Sequence, residues 1–291
     1  METEDRFTIS NGRVTATIKA DGAELCSLKN IHGNEVMWQA GPEWPRHAPI
    51  LFPIVGRLKG DVLRHRGQSY AMTQHGFARD QRFTWAAQSP LSCALSLQDN
   101  DTMRAKYPFA FRLDVNFAID HDTLVIGYAI TNTGDEMLPA SIGAHPAFKW
   151  PLVDGGDKRA HSIIFDAAEP APIRRLDDGL LLPGSEPSPV QGGALALSES
   201  LFTKDAMILD HPASQALSYS GPGGPTIDIA WEGFRELGLW SKPSGAPFLC
   251  IEPWHGYASP VDFDGEFADK PGVMHIDVGV TRKFVQRIGF G

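Results

Sequence analysis

Apolar and polar side chains alternate along the segment Phe111–Asp120, and this alternation limits the possible folds more than any other feature of the chain. Positions 111, 113, 115, 117 and 119 are all apolar, and the positions between them are polar or small. Successive side chains of a strand point to opposite faces, so a period of two predicts a strand with one buried face. A helix would scatter the same side chains around its axis.

The same pattern recurs at short intervals, with turn signals such as Asn11-Gly12 and Gly221-Pro222-Gly223-Gly224 between the segments. Many short strands with 29 Gly and 22 Pro predict an all-β fold, a large antiparallel sandwich or barrel. The patterning continues unchanged, which predicts a single domain over 1–291. Helical signal is confined to 101–107, with Asp101 as the expected cap. The other predicted strands are 13–19, 82–87, 91–98, 123–132, 163–166, 206–210, 216–220, 226–231, 237–240, 247–251 and 274–281.

Composition argues against several classes of partner. The chain has 26 Lys and Arg against 35 Asp and Glu, a net charge of −9, which argues against nucleic-acid binding. No uncharged apolar run reaches the roughly 18 residues of a membrane helix, and the acidic N-terminus does not resemble a secretory signal. Three separated cysteines without a CxxC predict neither a disulfide framework nor a zinc cluster. We expect a cytoplasmic protein, with monomer and homodimer both left open.

Glu252 is the first candidate for chemistry, because it ends the apolar run 247–251. In a strand, Phe248, Cys250 and Glu252 share one face. A carboxylate among apolar neighbours is desolvated, which raises its pKa and makes it a better proton acceptor near neutrality. Pro253 restricts Glu252 to an extended conformation. A strand-end Glu bonded to a neighbouring loop is the alternative, and Cys250 is interpreted as a core side chain.

Two histidines are the other candidates for proton transfer, since histidine titrates closest to neutral pH. His145 precedes Pro146 and is held extended in the same way as Glu252. It follows a run of small residues that would let another group approach closely. A core histidine bonded to the backbone is the alternative. His75 lies between Gln74 and Gly76, in a turn-like position, and is the weaker candidate.

Arg57, Arg79 and Trp254 are candidate substrate-binding residues. A guanidinium carries five fixed donors suited to sugar hydroxyls or an acidic group. Arg57 in a buried salt bridge and Arg79 paired with Asp80 are the alternatives. Trp254 is a candidate platform for the apolar face of a sugar, as are Trp150 and Phe148, with aromatic core packing as the alternative.

Four segments, taken together and in order, resemble the aldose 1-epimerase (galactose mutarotase-like) family, in its smaller bacterial branch. The resemblance spans nearly the whole chain. The segments are Pro49-Ile50-Leu51-Phe52-Pro53-Ile54-Val55-Gly56-Arg57, Gln74-His75-Gly76-Phe77-Ala78-Arg79-Asp80, Gly143-Ala144-His145-Pro146-Ala147-Phe148 and Cys250-Ile251-Glu252-Pro253-Trp254.

This resemblance implies a large antiparallel β-sandwich with a sugar cleft across one sheet, and a reaction without cofactor or metal that interconverts α and β anomers. It implies that Glu252 is the general base at the anomeric hydroxyl and that His145 is the general acid at the ring oxygen. His75 and Arg57 would hold the substrate. Asp205 is the best match to the family's sugar-binding aspartate.

The sugar itself stays open. Galactose mutarotases of the family carry Thr-Asn-His where this chain has Gly143-Ala144-His145, and a related branch acts on hexose 6-phosphates, which Arg57 and Arg79 would suit. Two other hypotheses also remain. One is a non-catalytic sugar-binding protein or sensor on the same fold. The other is a metal-dependent hydrolase with His75, His145 and Glu252 as ligands, although no HxxxH or HExxH spacing supports it.

Overall fold

A computed structural model describes residues 5–291, and strands dominate it. The strands, in chain order, are β1 (Arg6–Ser10), β2 (Thr15–Lys19), β3 (Glu24–Lys29), β4 (Ile50–Leu51), β5 (Val62–His65), β6 (Gln68–Ala71), β7 (Thr84–Ser89), β8 (Ser92–Gln98), β9 (Phe111–Asp120), β10 (Thr123–Asn132), β11 (Leu138–Ala140), β12 (Ile142–Ala144), β13 (Ala147–Lys149), β14 (Ser162–Phe165), β15 (Leu176–Asp177), β16 (Leu180–Leu181), β17 (Ala194–Ala196), β18 (Met207–Leu209), β19 (Ala216–Ser220), β20 (Ile227–Glu232), β21 (Glu236–Trp240), β22 (Phe248–His255), β23 (Met274–Ile276) and β24 (Thr281–Phe290).

Helical structure within residues 5–291 is limited to single turns. The α-helix α1 covers Asp101–Arg104, and its cap is Asn100, whose side chain accepts a hydrogen bond from the Met103 N–H. The prediction of Asp101 as the cap was therefore wrong by one residue. No helix in this part of the chain is long and apolar enough to cross a bilayer. The 3-10 turns are Lys59–Asp61, Ala78–Asp80, Lys158–Ala160, Glu199–Phe202 and Phe267–Asp269.

A nine-stranded antiparallel sheet forms one layer, in the order β17-β14-β19-β20-β24-β10-β9-β8-β7. Its centre contains the most strictly alternating segments of the sequence. Strand β9 buries its odd-numbered residues, as predicted, and pairs with β10 along its full length. The pattern also predicted the bounds of β10 and β19 without error.

A smaller sheet covers one face of the large one, in the order β18-β21-β22-β12-β4, with β13 also paired to β22. Leu249 and Ile251 of β22 lie in the same buried cluster as Phe117 and Ile126 of the large sheet, so the core lies between the two sheets. The all-β sandwich is confirmed. Phe248 and Cys250 alternate with these core residues and point the other way, into a separate cluster on the outer side.

One predicted strand was wrong. The segment 274–281 is divided: β23 ends at Ile276 and β24 begins at Thr281. Between them Gly279 has a φ of +74°, and the Val280 N–H bonds the Asp277 carbonyl, which closes a turn. A left-handed backbone conformation ends the extended run although the apolar pattern continues through it.

Candidate active site

A cavity of about 450 Å³ opens on the outer face of the smaller sheet. Glu252 and Trp254 of β22 line it, on the face of that strand that points away from the sandwich core. Three tryptophans and several ionisable side chains share the wall, a mixture suited to a ligand with apolar and polar faces. The lining residues are Trp44, Val55, Gly56, Gln74, His75, Arg79, His145, Leu176, Asp205, Ala206, Ile208, Trp240, Lys242, Pro243, Glu252, Trp254 and Ala258.

Glu252 lies in β22 on the cavity face, as the period of two predicted, and only 1% of it is exposed. Burial raises its pKa well above the ordinary 4.5, because the desolvated carboxylate loses its hydration. The nearby Asp205 charge raises that pKa further, and a hydrogen bond from the Trp254 indole opposes the rise. Trp254 Nε1 donates to Glu252 Oε2 at 3.2 Å.

His145 follows β12, and its ring Nε2 lies 3.1 Å from Glu252 Oε2. Trp44 stacks on the imidazole with ring centroids 5.0 Å apart, and Trp240 meets it edge-on at 5.8 Å. Burial lowers the pKa of His145 to about 3, so the ring is neutral at pH 7. The two candidates for general acid and general base are therefore in direct contact and screened from water on the aromatic side.

His75 reaches the same cavity from a strained turn. Its φ is +67°, and that of Gly76 is +73°. A Cβ on Gly76 would lie 2.2 Å from the Phe52 carbonyl oxygen, so only glycine lets the loop pack this closely against the strand end. The His75 ring meets the His145 ring edge-on at 5.6 Å. A non-glycine residue held at positive φ beside a cavity is typical of functional sites.

The tautomer of His75 follows from its neighbours. Its Nδ1 accepts the N–H of Gly56 at 3.1 Å, so the ring proton is on Nε2 when the ring is neutral. Burial, together with the charges of His145, Arg79 and Arg46, lowers the pKa of His75 well below 6.5. His75 is thereby set as a neutral hydrogen-bond donor.

Asp205 also lines the cavity, and its backbone has a positive φ of +65°. The Arg175 guanidinium braces this turn from behind through hydrogen bonds to the carbonyls of Leu201, Asp205 and Ala206. The acidic group is thus held near Glu252 by main-chain anchoring, which the sequence alone did not indicate.

The two predicted arginines lie in different places. Arg79 lines the cavity, donates to the Gln74 carbonyl at 2.7 Å and has its Nε 3.8 Å from Asp80. Burial and the Arg46 charge lower its pKa to about 10. Arg57 is not among the lining residues. Its guanidinium makes a two-bond salt bridge to Asp61 at 2.8 Å, as the alternative expected, but the pair is partly exposed and not buried.

The tryptophans of the wall were largely missed. Trp44 and Trp240 enclose His145, whereas Trp150 and Phe148, offered as platforms, are fully buried in the core. Trp44 comes from a Gly- and Pro-rich loop with no periodic pattern. A large aromatic residue in such a loop was the available signal, since loops rarely bury a tryptophan without a partner.

The side chains able to bind a metal ion group differently from the sequence hypothesis. Within residues 5–291, His145, Cys250 and Glu252 bring their ligand atoms within 4.8 Å of one another, and His75 is not part of this group. A metal ion held by this group would have Cys250, and not His75, as its third ligand. Burial raises the pKa of the Cys250 thiol well above 9, so it would have to lose a strongly held proton first.

The two-layer antiparallel sandwich, with a buried His–Glu pair in a cleft lined by tryptophans, belongs to the class of galactose mutarotase-like folds. The family model described as aldose 1-epimerase matches residues 5–274, and the chain belongs to that family of isomerase-type enzymes.

Known proteins match this chain in sequence and structure over nearly its whole length. Protein LacX of Lactococcus lactis subsp. lactis is 33% identical over 279 residues, which is 92% of this chain and 93% of LacX. A galactose mutarotase related enzyme from Lactobacillus acidophilus is 32% identical, with a TM-score of 0.92 over 98% of this chain and 97% of its own. A galactose mutarotase-like protein from Lactobacillus casei is 28% identical, with a TM-score of 0.91 over 98% and 100%.

Proposed function

We propose that this protein is an aldose 1-epimerase that interconverts the α and β anomers of a hexose or related aldose, with Glu252 as base and His145 as acid. The observation that carries the proposal is the 3.1 Å contact between His145 Nε2 and Glu252 Oε2 in the wall of the cavity. Mutarotation needs one group that takes a proton and one that gives a proton, and no electron carrier. Each such group contributes roughly 10²–10⁴-fold.

The protonation states of Glu252 and His145 suit this reaction. Burial favours a protonated Glu252 beside a neutral His145. Moving that one proton to His145 gives a carboxylate base and an imidazolium acid without any exchange with solvent. Hydrogen bonds from sugar hydroxyls to the carboxylate would favour this second state.

The proposed steps then balance. Glu252 takes the proton of the anomeric hydroxyl while His145 protonates the ring oxygen, and the bond between C1 and the ring oxygen breaks. The open-chain aldehyde turns about the C1–C2 bond. Ring closure reverses both proton transfers and restores the pair. His75, as a neutral Nε2–H donor, and Asp205 would hold hydroxyls, and the tryptophans would contact the apolar sugar face.

Polarimetry tests the proposal. A freshly dissolved pure anomer should lose its excess rotation faster with the purified protein than without it, and Glu252→Gln should remove the acceleration, because the amide cannot accept the proton. Full activity in Glu252→Gln would reject the assignment of the base. Saturable sugar binding by calorimetry, with no acceleration for any aldose, would instead favour the non-catalytic sugar-binding alternative.

A phosphorylated hexose is the second candidate substrate, favoured by the cationic side of the cavity. Arg79 and Lys242 line it, and the buried Nε of Arg79 makes no hydrogen bond within residues 5–291. The positive charge of Arg46 is close enough to lower the pKa of both His75 and His145. NMR anomer exchange with matched free and phosphorylated hexoses would separate the two substrates, since a phosphate would pair with these cationic side chains more strongly than a hydroxyl does.

A further inference from the structure

Trp254 lies flat in a slot that two glycines make in the smaller sheet. Gly143 is its register partner on β12, and Gly238 lies on β21 opposite Glu252. A Cβ on Gly143 would fall 2.6 Å from Cδ1 of the indole, and one on Gly238 would fall 2.4 Å from Cζ2. Both distances are too short for real Cβ contacts, so any larger residue would displace the ring. The slot fixes the indole at its two ends.

The fixed ring directs its one polar atom at the candidate base. Trp254 Nε1 donates to Oε2 of Glu252, the same oxygen that lies 3.1 Å from His145 Nε2. In the part of the chain that the structure describes, no other side-chain hydrogen bond to this carboxylate is found besides these two contacts. The oxygen is thus held between an indole donor that cannot ionise and an imidazole that can.

We propose that Trp254 is a positioning residue, whose fixed indole N–H orients the Glu252 carboxylate and favours its ionised form. The inference rests on the proposed function, because it gives Trp254 a part in the same proton transfer. A donor aimed at a carboxylate stabilises the charged form and leaves the protonated form largely unaided. Since the glycine slot already holds the ring, no reorganisation is needed when the charge develops.

The other groups that face Glu252 do not supply this help. The charge of Asp205, which also lines the cavity, disfavours a second negative charge. Cys250, two residues earlier on β22, is a buried thiol whose pKa is raised well above 9. His145 is neutral at pH 7, and the charges of Arg79 and Arg46 lower its pKa and that of His75.

The test is the pH profile of kcat/KM for mutarotation in Trp254→Phe. Phenylalanine keeps an aromatic ring in the slot but has no N–H donor. The acid limb of the profile should move to higher pH, and kcat/KM on that limb should fall roughly ten- to a hundredfold, the range set by one hydrogen bond to a charged group. The high-pH plateau should approach that of the unmodified enzyme.

Trp85→Phe is the matched control, because Trp85 Nε1 also donates to a carboxylate, that of Asp5 at 3.0 Å, on an edge strand of the large sheet. It should leave the acid limb in place. An unmoved limb in Trp254→Phe, or an equal loss of activity at every pH, would overturn the inference. Because Glu252→Gln is measured beside it, activity retained there would instead reject the assignment of Glu252 as the base. No acceleration by the unmodified protein would reject the proposed function itself.

Gly238→Ala decides the question if Trp254→Phe does not fold, as judged by circular dichroism. The alanine keeps the indole donor but must push its benzene edge, which lies 2.4 Å from the new Cβ. The donor would leave Oε2, so the acid limb should again move to higher pH. An unmoved limb in a folded Gly238→Ala would overturn the inference.

Discussion

Glu236 gives a stability prediction that can be worked from the structure. It begins β21 as the register partner of Trp254 and is buried, with its Oε2 accepting the Gly256 N–H at 2.9 Å. Its pKa is raised from 4.5 to about 7, chiefly by burial and to a smaller extent by the Asp210 charge. The Gly256 hydrogen bond and the charges of Arg235 and Lys270 oppose the rise without cancelling it.

The sign follows from linkage. A carboxyl group whose pKa is higher in the folded state contributes stability below its unfolded pKa, and that contribution is lost as the pH rises through the folded value. The displacement from 4.5 to about 7, at about 1.4 kcal/mol per unit, corresponds to about 3 kcal/mol. The loss falls between pH 4.5 and about 7. The pKa of Lys270, lowered to about 7 by burial, affects stability only above that window.

Glu236→Gln should remove this loss, because the amide keeps an acceptor for Gly256 and does not titrate. Urea unfolding followed by tryptophan fluorescence at about pH 4 and about pH 7 gives both free energies of unfolding. The stability of the unmodified protein relative to Glu236→Gln should fall by about 3 kcal/mol over this range. Glu232→Gln, at an exposed carboxyl that ends strand β20 of the large sheet, is the control and should change by less than about 0.5 kcal/mol. A constant difference for Glu236→Gln would refute the reasoning.

Two further substitutions test how the cavity walls are held. Gly76→Ala should destabilise the protein by more than about 1 kcal/mol in urea unfolding, because the new Cβ would lie 2.2 Å from the Phe52 carbonyl oxygen. Gly67→Ala is the control, since Gly67 has the same φ of +73° but no atom within 4 Å of its Cβ position. The difference between the two variants gives the cost of the clash without the cost of the backbone conformation. Glu24→Ala should cost about 3 kcal/mol, since this buried carboxylate accepts the N–H groups of residues 47 and 48 and pairs with Lys19 at 2.7 Å; a loss below about 1 kcal/mol would contradict that role.

Periodicity predicted most strands of the large sheet but missed β24, and in the small sheet it predicted β18, β21 and β22 but missed β4 and β12. The long strands β9 and β10 have one face in the core and one toward solvent, so their sequences alternate. Strands β4 and β12 are two and three residues long and buried on both faces, so they leave no alternation to read. The part of the fold that bears the site is therefore the part that periodicity describes least.

The candidate site residues differ in the same way: those in long strands could be predicted from the sequence more readily than those in turns and loops. Glu252 could be predicted because it lies in a strand long enough to show which face it shares with Phe248 and Cys250. His75 needed the left-handed turn at 75–76, which Gly76 only suggested. Trp44 lies in a loop whose course depends on packing across the sandwich, so no local pattern marks it as the partner of His145.

Gly143 matters both in the sequence and in the structure. It departs from the Thr-Asn-His expected of galactose mutarotases, and it also makes room for the Trp254 indole. From the sequence, glycine in place of a larger residue before His145 raised doubt about galactose as the substrate. In the structure, that position is occupied by the edge of the Trp254 indole, 2.6 Å from where a Cβ would be. A side chain at 143 and a flat indole at 254 therefore exclude each other. If Trp254 sets the ionisation of Glu252, a relative with a larger residue at this position must support its base by a different donor, and the two kinds of site would differ in pH profile before they differ in sugar.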